Sequence, residues 1–344
     1  MKDDDIMGMK CQQRLSKLKK NGCCSFSYLT LANRSLSYYY HPKGYLAYHD
    51  FLRSAIVLGD PVTARSDIGS IVSDFKDKCI SEGYSACFFA STKNAAEACR
   101  KEGFKCYYIG SESKVQLDRH SIAGNSKRNI RSSINSVMKY DLAVEEYVPD
   151  NGRDKELETQ ILESSRDWCS CQNTPELGFV VGPLDFELTT GKRYFYCRKD
   201  GKVLAFVLYY PVYGTGNYYM DHTRRRHDAP RGCIDHIVNE SFKILKNEGV
   251  NDVYMGLAPF SFLDSEHNDN PRYMNALFSA VRSNDFLYPS RSELFFKKKF
   301  ATDWIPNYAC FHPRITARSI FAIMDSFCPG GLKSLLSYKT RRII

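Results

Sequence analysis

The chain lacks any stretch that approaches the roughly 20 consecutive apolar residues of a membrane-spanning helix. No apolar run follows its charged N-terminus, MKDDDIMGMK. The sequence therefore predicts a cytoplasmic protein with neither span nor secretory signal, able to contact a membrane from one side. Thirteen cysteines are scattered along the chain, and its close pairs, Cys23–Cys24 and Cys169–Cys171, lack the spacing of zinc ligands. We therefore expect reduced thiols and no metal site.

Signatures of covalent catalysis are missing as well. The serines and histidines show no nucleophile elbow or triad pattern, so the sequence gives no support for hydrolysis. What the chain does contain is core material, with 21 Phe and 23 Tyr, and an excess of positive charge, +9. Its 344 residues favour two domains. The charge fits a polyanionic partner, either nucleic acid or an anionic membrane surface, without choosing between them.

Element order suggests an internal duplication. Strands are predicted in FSYLTL, LSYYYH, YLAYH and SAIVLGDPV, followed by a helix from Ile68 to Ser81, a strand, a helix and a strand. The second half repeats this order and ends on a predicted strand in SELFFKKKF. A Glu-Gly pair follows a helix at residues 82–83 and again at 248–249, an offset of 166 residues. The pattern predicts a tandem α+β protein.

Residues 217–261 carry the densest cluster of candidate site residues. A short aromatic strand ends on Asp221, His222 and Arg224, and a helix begins after Gly232. Arginines beside a helix start form a ready site for phosphate or carboxylate, which predicts chemistry on an anionic substrate. A structural ion pair of Asp221 with Arg224 is the plainer alternative, and His222 is expected to face solvent. The other cations of this loop are Arg225, Arg226 and Arg231.

Two further segments are amphipathic and basic. Between the halves, SIAGNSKRNIRSSINSVMKY forms a predicted helix whose cations are Lys127, Arg128, Arg131 and Lys139. Such a face is usually only solvated, but its place at the junction favours polyanion contact. The tail from Thr316 combines apolar residues with later cations and is either a packing helix with a frayed end or an attachment to an anionic membrane. Its predicted stripe and cations are Ile320, Phe321, Ile323, Met324, Phe327, Lys333, Lys339, Arg341 and Arg342.

Six segments in order resemble one known family. They are AIVLGDPV, SIAGNSKRNIRSSINSVMKYDL, GKVLAFVLYYPV, DHTRRRHDAPRGCIDHI, VYMGLAPFS and FFKKKFATDWIPNY. From about Leu29 to Pro313 the chain resembles the soluble catalytic domain of bacterial aminoacyl-phosphatidylglycerol synthases. That resemblance implies an α+β fold of two tandem GNAT-like units, each a mixed sheet flanked by helices. It divides the chain into a basic arm (1–24), an N-terminal GNAT-like domain (25–150), a C-terminal catalytic one (151–315) and the tail (316–344).

The resemblance also implies an activity and a set of residues. The family moves an amino acid from aminoacyl-tRNA to a hydroxyl of an anionic phospholipid, without a cofactor. By resemblance Asp221 and Arg224 match the family's Asp-x-x-Arg strand end, and Lys297 and Lys299 match its Lys-x-Lys-Phe strand. We expect Asp221, Arg224 and Lys297 to be catalytic. The expected substrate-binding residues are Arg225, Arg226, Arg231, Asp235, Lys299, Lys127, Arg128 and Arg131.

Departures from the family leave alternatives. His222 and Thr223 stand where the family has apolar residues, and the lead-in before the lysine segment is not preserved. An acyl-CoA-dependent GNAT enzyme is one alternative, although the loop RRRHDAPRGC has one glycine and a proline where a pyrophosphate loop is glycine-rich. The others are tRNA-dependent aminoacylation of a soluble acceptor and a non-catalytic polyanion-binding protein.

Overall fold

The computed structural model describes residues 3–172, 177–283, 290–328 and 331. The helices are α1 Asp3–Asn21, α2 Leu29–Ala32, α3 Ile68–Ser81, α4 Lys93–Lys101, α5 Arg128–Met138, α6 Lys155–Ser170, α7 Cys233–Asn247, α8 Arg272–Arg282, α9 Ser290–Phe300 and α10 Ala317–Phe327. The strands are β1 Ser37–His41, β2 Gly44–Phe51, β3 Ser54–Leu58, β4 Val62–Thr63, β5 Ser85–Ser91, β6 Lys105–Gln116, β7 Val144–Tyr147, β8 Arg193–Lys199, β9 Lys202–Val212, β10 Asn217–Arg225, β11 Asp252–Pro259 and β12 Asp303–His312.

The predicted duplication is visible in the order of elements. Three antiparallel strands, a helix, a parallel strand and a helix occur as β1–β2–β3–α3–β5–α4 and again as β8–β9–β10–α7–β11–α8. Both predicted Glu-Gly pairs end equivalent helices, with Glu82 and Glu248 as the C-cap residues of α3 and α7. The α+β duplication read from the sequence is therefore confirmed.

The two expected sheets are joined into one. Twelve strands form a single mixed sheet in the order β1-β2-β3-β5-β12-β6-β11-β10-β9-β8-β7, with β4 paired to β2. The last strand of each half is exchanged, so that β12 lies beside β5 while β6 lies beside β11. β6 and β12 pair with each other along nine residues and join the halves. The domain boundaries proposed above stay a prediction, since the exchange interleaves the halves.

Several predicted elements have a different conformation. SELFFKKKF is helix α9 rather than a strand, because Phe296 and Phe300, four residues apart, pack together against one core. FSYLTL forms a 3₁₀ turn at Ser25–Tyr28 followed by α2, since a short apolar run buried on all sides has no diagnostic period. Helix α6 and strand β12 were not predicted.

Side chains on the two faces of the sheet form three apolar clusters. One covers a whole face and includes Phe26, Tyr210, Tyr219 and Leu257. On the opposite face, α5 and α7 cover the second half, and α3 and α4 cover the first. The predicted N-terminal arm is α1, whose Leu18 is fully buried. The described residues contain no helix that is long and apolar enough to cross a membrane.

Candidate active site

A gap opens between the central parallel strands of the second half. β10 and β11 are paired only at Tyr218↔Val253 and Tyr219↔Tyr254. Both strands then become irregular, β10 between Met220 and Thr223 and β11 between Tyr254 and Leu257. The first irregularity contains Asp221 and His222. A bulge re-aims side chains and ends pairing, so these polar groups lie where the sheet separates.

Asp221 and His222 are both held by the backbone of Gly182. The Gly182 N–H donates to Oδ2 of Asp221 at 2.8 Å, and Nε2 of His222 donates to the Gly182 carbonyl at 2.8 Å. Nδ1 of His222 then accepts from the Arg224 guanidinium at 2.9 Å. Burial, followed by the charge of Arg224, places the pKa of His222 well below its usual range. His222 is therefore a buried neutral group, and the expectation that it faces solvent is wrong.

Arg224 is fixed by stacking as well. Its guanidinium carbon lies 3.7 Å above the Trp168 ring of α6, and the arginine is buried. A planar guanidinium suits both stacking and bidentate binding of an anion. Helix α6 thus contacts the polar cluster of Asp221, His222 and Arg224 through Trp168.

A buried lysine adds a cation near Asp221. Lys192 is fully buried, and its Nζ donates to the Asp185 carbonyl at 3.1 Å. Burial lowers the pKa of Lys192 to about 8, although the charges of Asp185 and Asp221 oppose that change. A lysine with such a pKa can lose or regain its proton near neutral pH.

A second pair of charges lies across β11. The Nζ of Lys297 donates to the Leu257 carbonyl at 2.6 Å and to Glu293 at 3.2 Å. Glu112 is the cross-strand neighbour of Leu257 on β6. Burial raises the pKa of Glu112 to about 7, while nearby Ser25 and Lys297 oppose that rise. Ser25 lies close enough to Glu112 to lower its pKa, although neither Oγ of Ser25 nor Oε1 of Glu112 meets strict hydrogen-bond geometry within the described residues.

Gly256 on β11 lies between Tyr219 of β10 and Lys297 of α9. It lies in the β11 bulge with a φ of +81°, and a Cβ there would be 3.2 Å from the Tyr219 hydroxyl and 3.7 Å from Nζ of Lys297. Tyr219 in turn donates to the Val180 carbonyl, two residues before Gly182. A side chain at Gly256 would therefore crowd the Tyr219 hydroxyl and only touch Nζ of Lys297.

Similarity to known proteins covers most of the chain. The family described as "Phosphatidylglycerol lysyltransferase, C-terminal" matches residues 15–311. The chain belongs to this family. Among curated relatives, phosphatidylglycerol lysyltransferase of Bacillus subtilis is 24% identical over 77% of this chain and 31% of its own length. The Staphylococcus haemolyticus enzyme of the same name is 23% identical over 78% of this chain and 32% of its own length. The chain thus spans about a third of these relatives.

Solved structures of family domains share the fold. A C-terminal domain assigned to a lysylphosphatidylglycerol synthetase from Agrobacterium fabrum has a TM-score of 0.75 at 20% identity, covering 93% of this chain and 95% of its own. L-PGS from Bacillus licheniformis has a TM-score of 0.73 at 20% identity, covering 91% and 94%. The tandem GNAT-like fold implied by the resemblance is therefore confirmed.

The acid and lysine expected to bind substrate on α7 and α9 contact each other. Asp235 is buried and accepts from Nζ of Lys299 at 3.0 Å with both carboxylate oxygens. Lys127 donates to the Lys299 carbonyl, and burial lowers the pKa of Lys127. The structure thus groups these three predicted residues in a contact between α7, α9 and the turn before α5.

The remaining predicted cations are distributed over the surface of the second half. Arg225 donates to the Ala229 carbonyl at 2.5 Å, and Arg226 lies 3.4 Å from Asp228 and 3.7 Å from Asp167. Arg231 and Arg128 are exposed. Arg131 donates to the carbonyls of residues 122 and 124 and, with Arg128 and Lys139, lines a shallow groove on α5. The structure brings Asp221 and Arg224 together but leaves these cations outside their cluster.

Helix α5 covers one side of the start of α7, where the sequence suggested an open anion site. A Cβ at Gly232 would lie 2.4 Å from the Ser133 carbonyl, and Ser136 donates to the Arg231 carbonyl at 3.2 Å. The sequence analysis also missed Glu112, Lys192 and Trp168. The signal for Glu112 was available, since a carboxylate in the apolar-flanked strand KCYYIGSESKV must be buried or face a site.

Proposed function

We propose that this chain transfers an amino acid, a lysyl group first among the candidates, from aminoacyl-tRNA to a hydroxyl of phosphatidylglycerol. The observation that carries the proposal is the separation of β10 and β11, with Asp221 and Arg224 on one side and Lys297 with Glu112 on the other. Family membership supports the lysyl group and the lipid, since relatives named phosphatidylglycerol lysyltransferase share the domain. The tRNA donor rests on the family resemblance and the positive charge.

The proposed reaction exchanges one ester for another. The lipid hydroxyl attacks the aminoacyl carbonyl, a tetrahedral oxyanion forms, and the ribose hydroxyl leaves with the proton that the lipid hydroxyl gave up. No covalent enzyme intermediate is required because the aminoacyl ester is already activated. The protein has to accept a proton, stabilise the oxyanion and return the proton.

Each site residue has a role in this proposal. Asp221, fixed by the Gly182 N–H, orients or deprotonates the lipid hydroxyl, or binds the α-ammonium of the substrate. Arg224, held flat by Trp168 and His222, binds a phosphate. Lys297 stabilises the oxyanion or a phosphodiester. Glu112, with a pKa near neutrality, is a group that can accept and return a proton.

A direct assay tests the donor and the acceptor. Purified protein is incubated with tRNA charged with radiolabelled lysine and with phosphatidylglycerol, and the lipid is extracted. We expect label in the lipid fraction and its loss when ribonuclease is added first. Full transfer from an acyl-CoA without tRNA would contradict the proposal and favour the coenzyme A alternative. Label on a soluble amine or hydroxyl instead of the lipid would identify a different acceptor.

The structure offers one argument against coenzyme A. In the described residues, α5 packs against the start of α7, the position where backbone N–H groups would have to face a pyrophosphate. The acid in the first turn of that helix, Asp235, is buried and paired with Lys299. A negative side chain in the first turn further disfavours a polyphosphate there.

A further inference from the structure

Helix α10 exposes large apolar side chains on its outer face, in addition to the apolar residues that it packs inward. Ser319 and Asp325 face the protein and are buried, as is Ala322. Three large apolar side chains face outward, with exposed fractions of 43% for Ile320, 50% for Phe321 and 43% for Met324. A helix on a soluble surface normally presents polar side chains on its outer face.

The inward orientation of α10 is held by specific contacts. Oδ2 of Asp325 lies 2.9 Å from Nε2 of His49 on β2. At the N-terminus, Thr316 and Ser319 form a reciprocal capping box. Phe327 packs against Phe89 with ring centroids 5.4 Å apart. The helix is therefore docked firmly, and its outward apolar face is a built feature of the fold.

The charges along this segment of the sequence are almost all positive. Arg314 and Arg318 are exposed beside the outward face. Between residues 314 and 344 the sequence contains six Lys or Arg residues and one acid, and that acid is the buried Asp325. The predicted stripe of the sequence analysis is split: Ile323 and Phe327 pack inward, whereas Ile320, Phe321 and Met324 face out. The later cations Lys333, Lys339, Arg341 and Arg342 lie outside the described residues.

We infer that the outer face of α10 docks on an anionic lipid bilayer. An amphipathic helix lies in the plane of the interface when its apolar face enters the acyl boundary and its cations meet anionic headgroups. Each basic residue near such a surface contributes about 1 kcal/mol. The occupant is a membrane and not a second copy of the chain, because the cations beside the face match anionic headgroups, whereas a second copy would bring only more cations of the same kind. Three half-exposed side chains are also few for the roughly 800 Å² per partner of a stable protein interface.

The inward side of the last turn of α10 contacts the segment that leads to the candidate active site. The Gly178 N–H donates to the Phe327 carbonyl at 2.9 Å, and the rings of Phe179 and Phe327 are in contact. Four residues after Gly178, Gly182 binds both Asp221 and His222. A membrane on the outer face of α10 would therefore be separated by this one helix from the segment that binds Asp221. This step rests on the proposed function, in which the acceptor is a lipid.

Vesicle co-sedimentation tests the docking face without any transfer reaction. The probes are vesicles of phosphatidylcholine alone and vesicles with phosphatidylglycerol added, at low and high salt. We expect the full chain to sediment with the anionic vesicles only, and less at high salt. Phe321→Glu should lower the bound fraction at least fivefold, whereas the matched control Ile80→Glu, an equally exposed residue on α3, should bind like the wild type. Thermal unfolding of both variants verifies that they are folded.

Other outcomes would overturn the inference. Equal binding by wild type and Phe321→Glu would do so, as would absence of binding by the wild type. Loss of binding only when Lys333, Lys339, Arg341 and Arg342 are all replaced by Gln would assign the contact to the tail instead. Light scattering that shows a dimer for the wild type and a monomer for Phe321→Glu would identify a subunit interface.

A short-chain, dispersed phosphatidylglycerol separates this inference from the proposed function. If Phe321→Glu transfers lysine to the dispersed lipid like the wild type but not to vesicles, α10 is the docking face. If the wild type transfers to neither form, the proposed function fails, whatever the vesicle binding shows.

Discussion

The two parallel strand pairs at the centre of the sheet stay together over different lengths. β3 and β5 in the first half are paired at five successive positions, from Ser54↔Ser85 to Leu58↔Phe89, with regular register. β10 and β11 in the second half are paired at two, and both then bulge. The same order of elements thus produces a closed sheet in one half and an opening in the other.

An aspartate follows the last paired residue by two positions in both halves, yet the two have different partners. Asp60, after Leu58, accepts from the backbone N–H and the hydroxyl of Thr92 at 2.9 and 2.6 Å and so ties β3 to the start of α4. Asp221, after Tyr219, accepts from Gly182 on a distant segment. The first aspartate closes the local structure, whereas the second is held at the edge of a gap.

The strands next to these two parallel pairs also differ, since one presents mainly apolar side chains and the other polar ones. β12, next to β5, presents Tyr308, Ala309 and Cys310. β6, next to β11, presents Ser111, Glu112 and Ser113. Buried charge is expensive unless it is paired or used, so the buried Glu112 beside β11 marks the side of the sheet where we expect the chemistry.

The largest expected effect comes from replacing each of the two aspartates by asparagine, which keeps the shape of the side chain and removes its negative charge. Asp221→Asn should lower kcat at least about 10²-fold with little change in Tm, because it keeps the hydrogen bond from Gly182 and removes the negative charge. Asp60→Asn should lower Tm, since the contact to Thr92 is structural, and should lower kcat far less than Asp221→Asn, because Asp60 acts on the site only through its charge near Glu112. Kinetics and thermal unfolding of both variants are the measurements. Unfolding of both, or equal kinetic loss, would favour a structural ion pair at Asp221.

The next effect concerns the cation on the β11 side of the gap. Lys297→Ala should lower kcat by roughly 10²-fold, since a fixed cation in a water-poor site stabilises developing negative charge. The neighbouring exposed Lys298 provides the control, and Lys298→Ala should leave kcat unchanged. Steady-state kinetics at saturating substrate would show the difference. A matching fall in both variants would point to general charge attraction of the substrate.

The raised pKa of Glu112 leads us to expect that the stability of the protein depends on pH. Its folded pKa of about 7 exceeds the ordinary value of 4.5, so between these values the unfolded chain ionises while the folded chain keeps the proton. The free energy of unfolding therefore falls as pH rises through this window and levels off above it. Glu112→Gln should remove roughly 2–3 kcal/mol of this fall, measured by urea unfolding from pH 4 to 8.

A carboxylate of the first half supplies the opposite sign. The hydrogen bond from Lys76 lowers the pKa of Glu102, so its contribution to stability is present at neutral pH and lost as pH falls through the lowered pKa. Glu102→Gln should therefore reduce stability at pH 7 and matter little in acid.

For the Glu112 prediction, identical pH profiles of stability for wild type and Glu112→Gln would show that Glu112 is ionised in the folded protein.

The smallest effect tests the bulge itself. Gly256→Ala places a side chain at a φ of +81° and next to the Tyr219 hydroxyl, so it should cost on the order of 1–3 kcal/mol and also lower transfer. Gly69→Ala in α3 meets no neighbouring atom and should raise stability by about 0.5–1 kcal/mol. Urea unfolding and the transfer assay check both. An unchanged transfer rate in Gly256→Ala would show that the gap does not depend on this bulge.

Local patterns predicted much of the secondary structure. The spacing of Ile68, Ile71, Val72 and Phe75 predicted α3 with its observed bounds, and the same argument placed α7 within one residue. Hydrophobic periodicity did not identify the conformation where apolar residues are few or continuous, as in α9 and in the segment Ser25–Tyr28. The exchange of β6 and β12 was beyond prediction from patterns, because strand pairing between the halves depends on contacts separated by almost 200 residues.

The sequence by itself determined the duplication, the positive charge, the family and the presence of Asp221 and Arg224 on one short segment, although β10 extends through both residues to Arg225 instead of ending before them. Each of these depends on residue type and short-range spacing, which a linear pattern carries. Only the tertiary structure decided that His222 is buried and neutral, that Glu112 and Lys192 lie near the gap, and that α10 exposes large apolar side chains on its outer face. These properties arise from which segments pack over a residue, and burial by a distant segment leaves no trace in the spacing of neighbours.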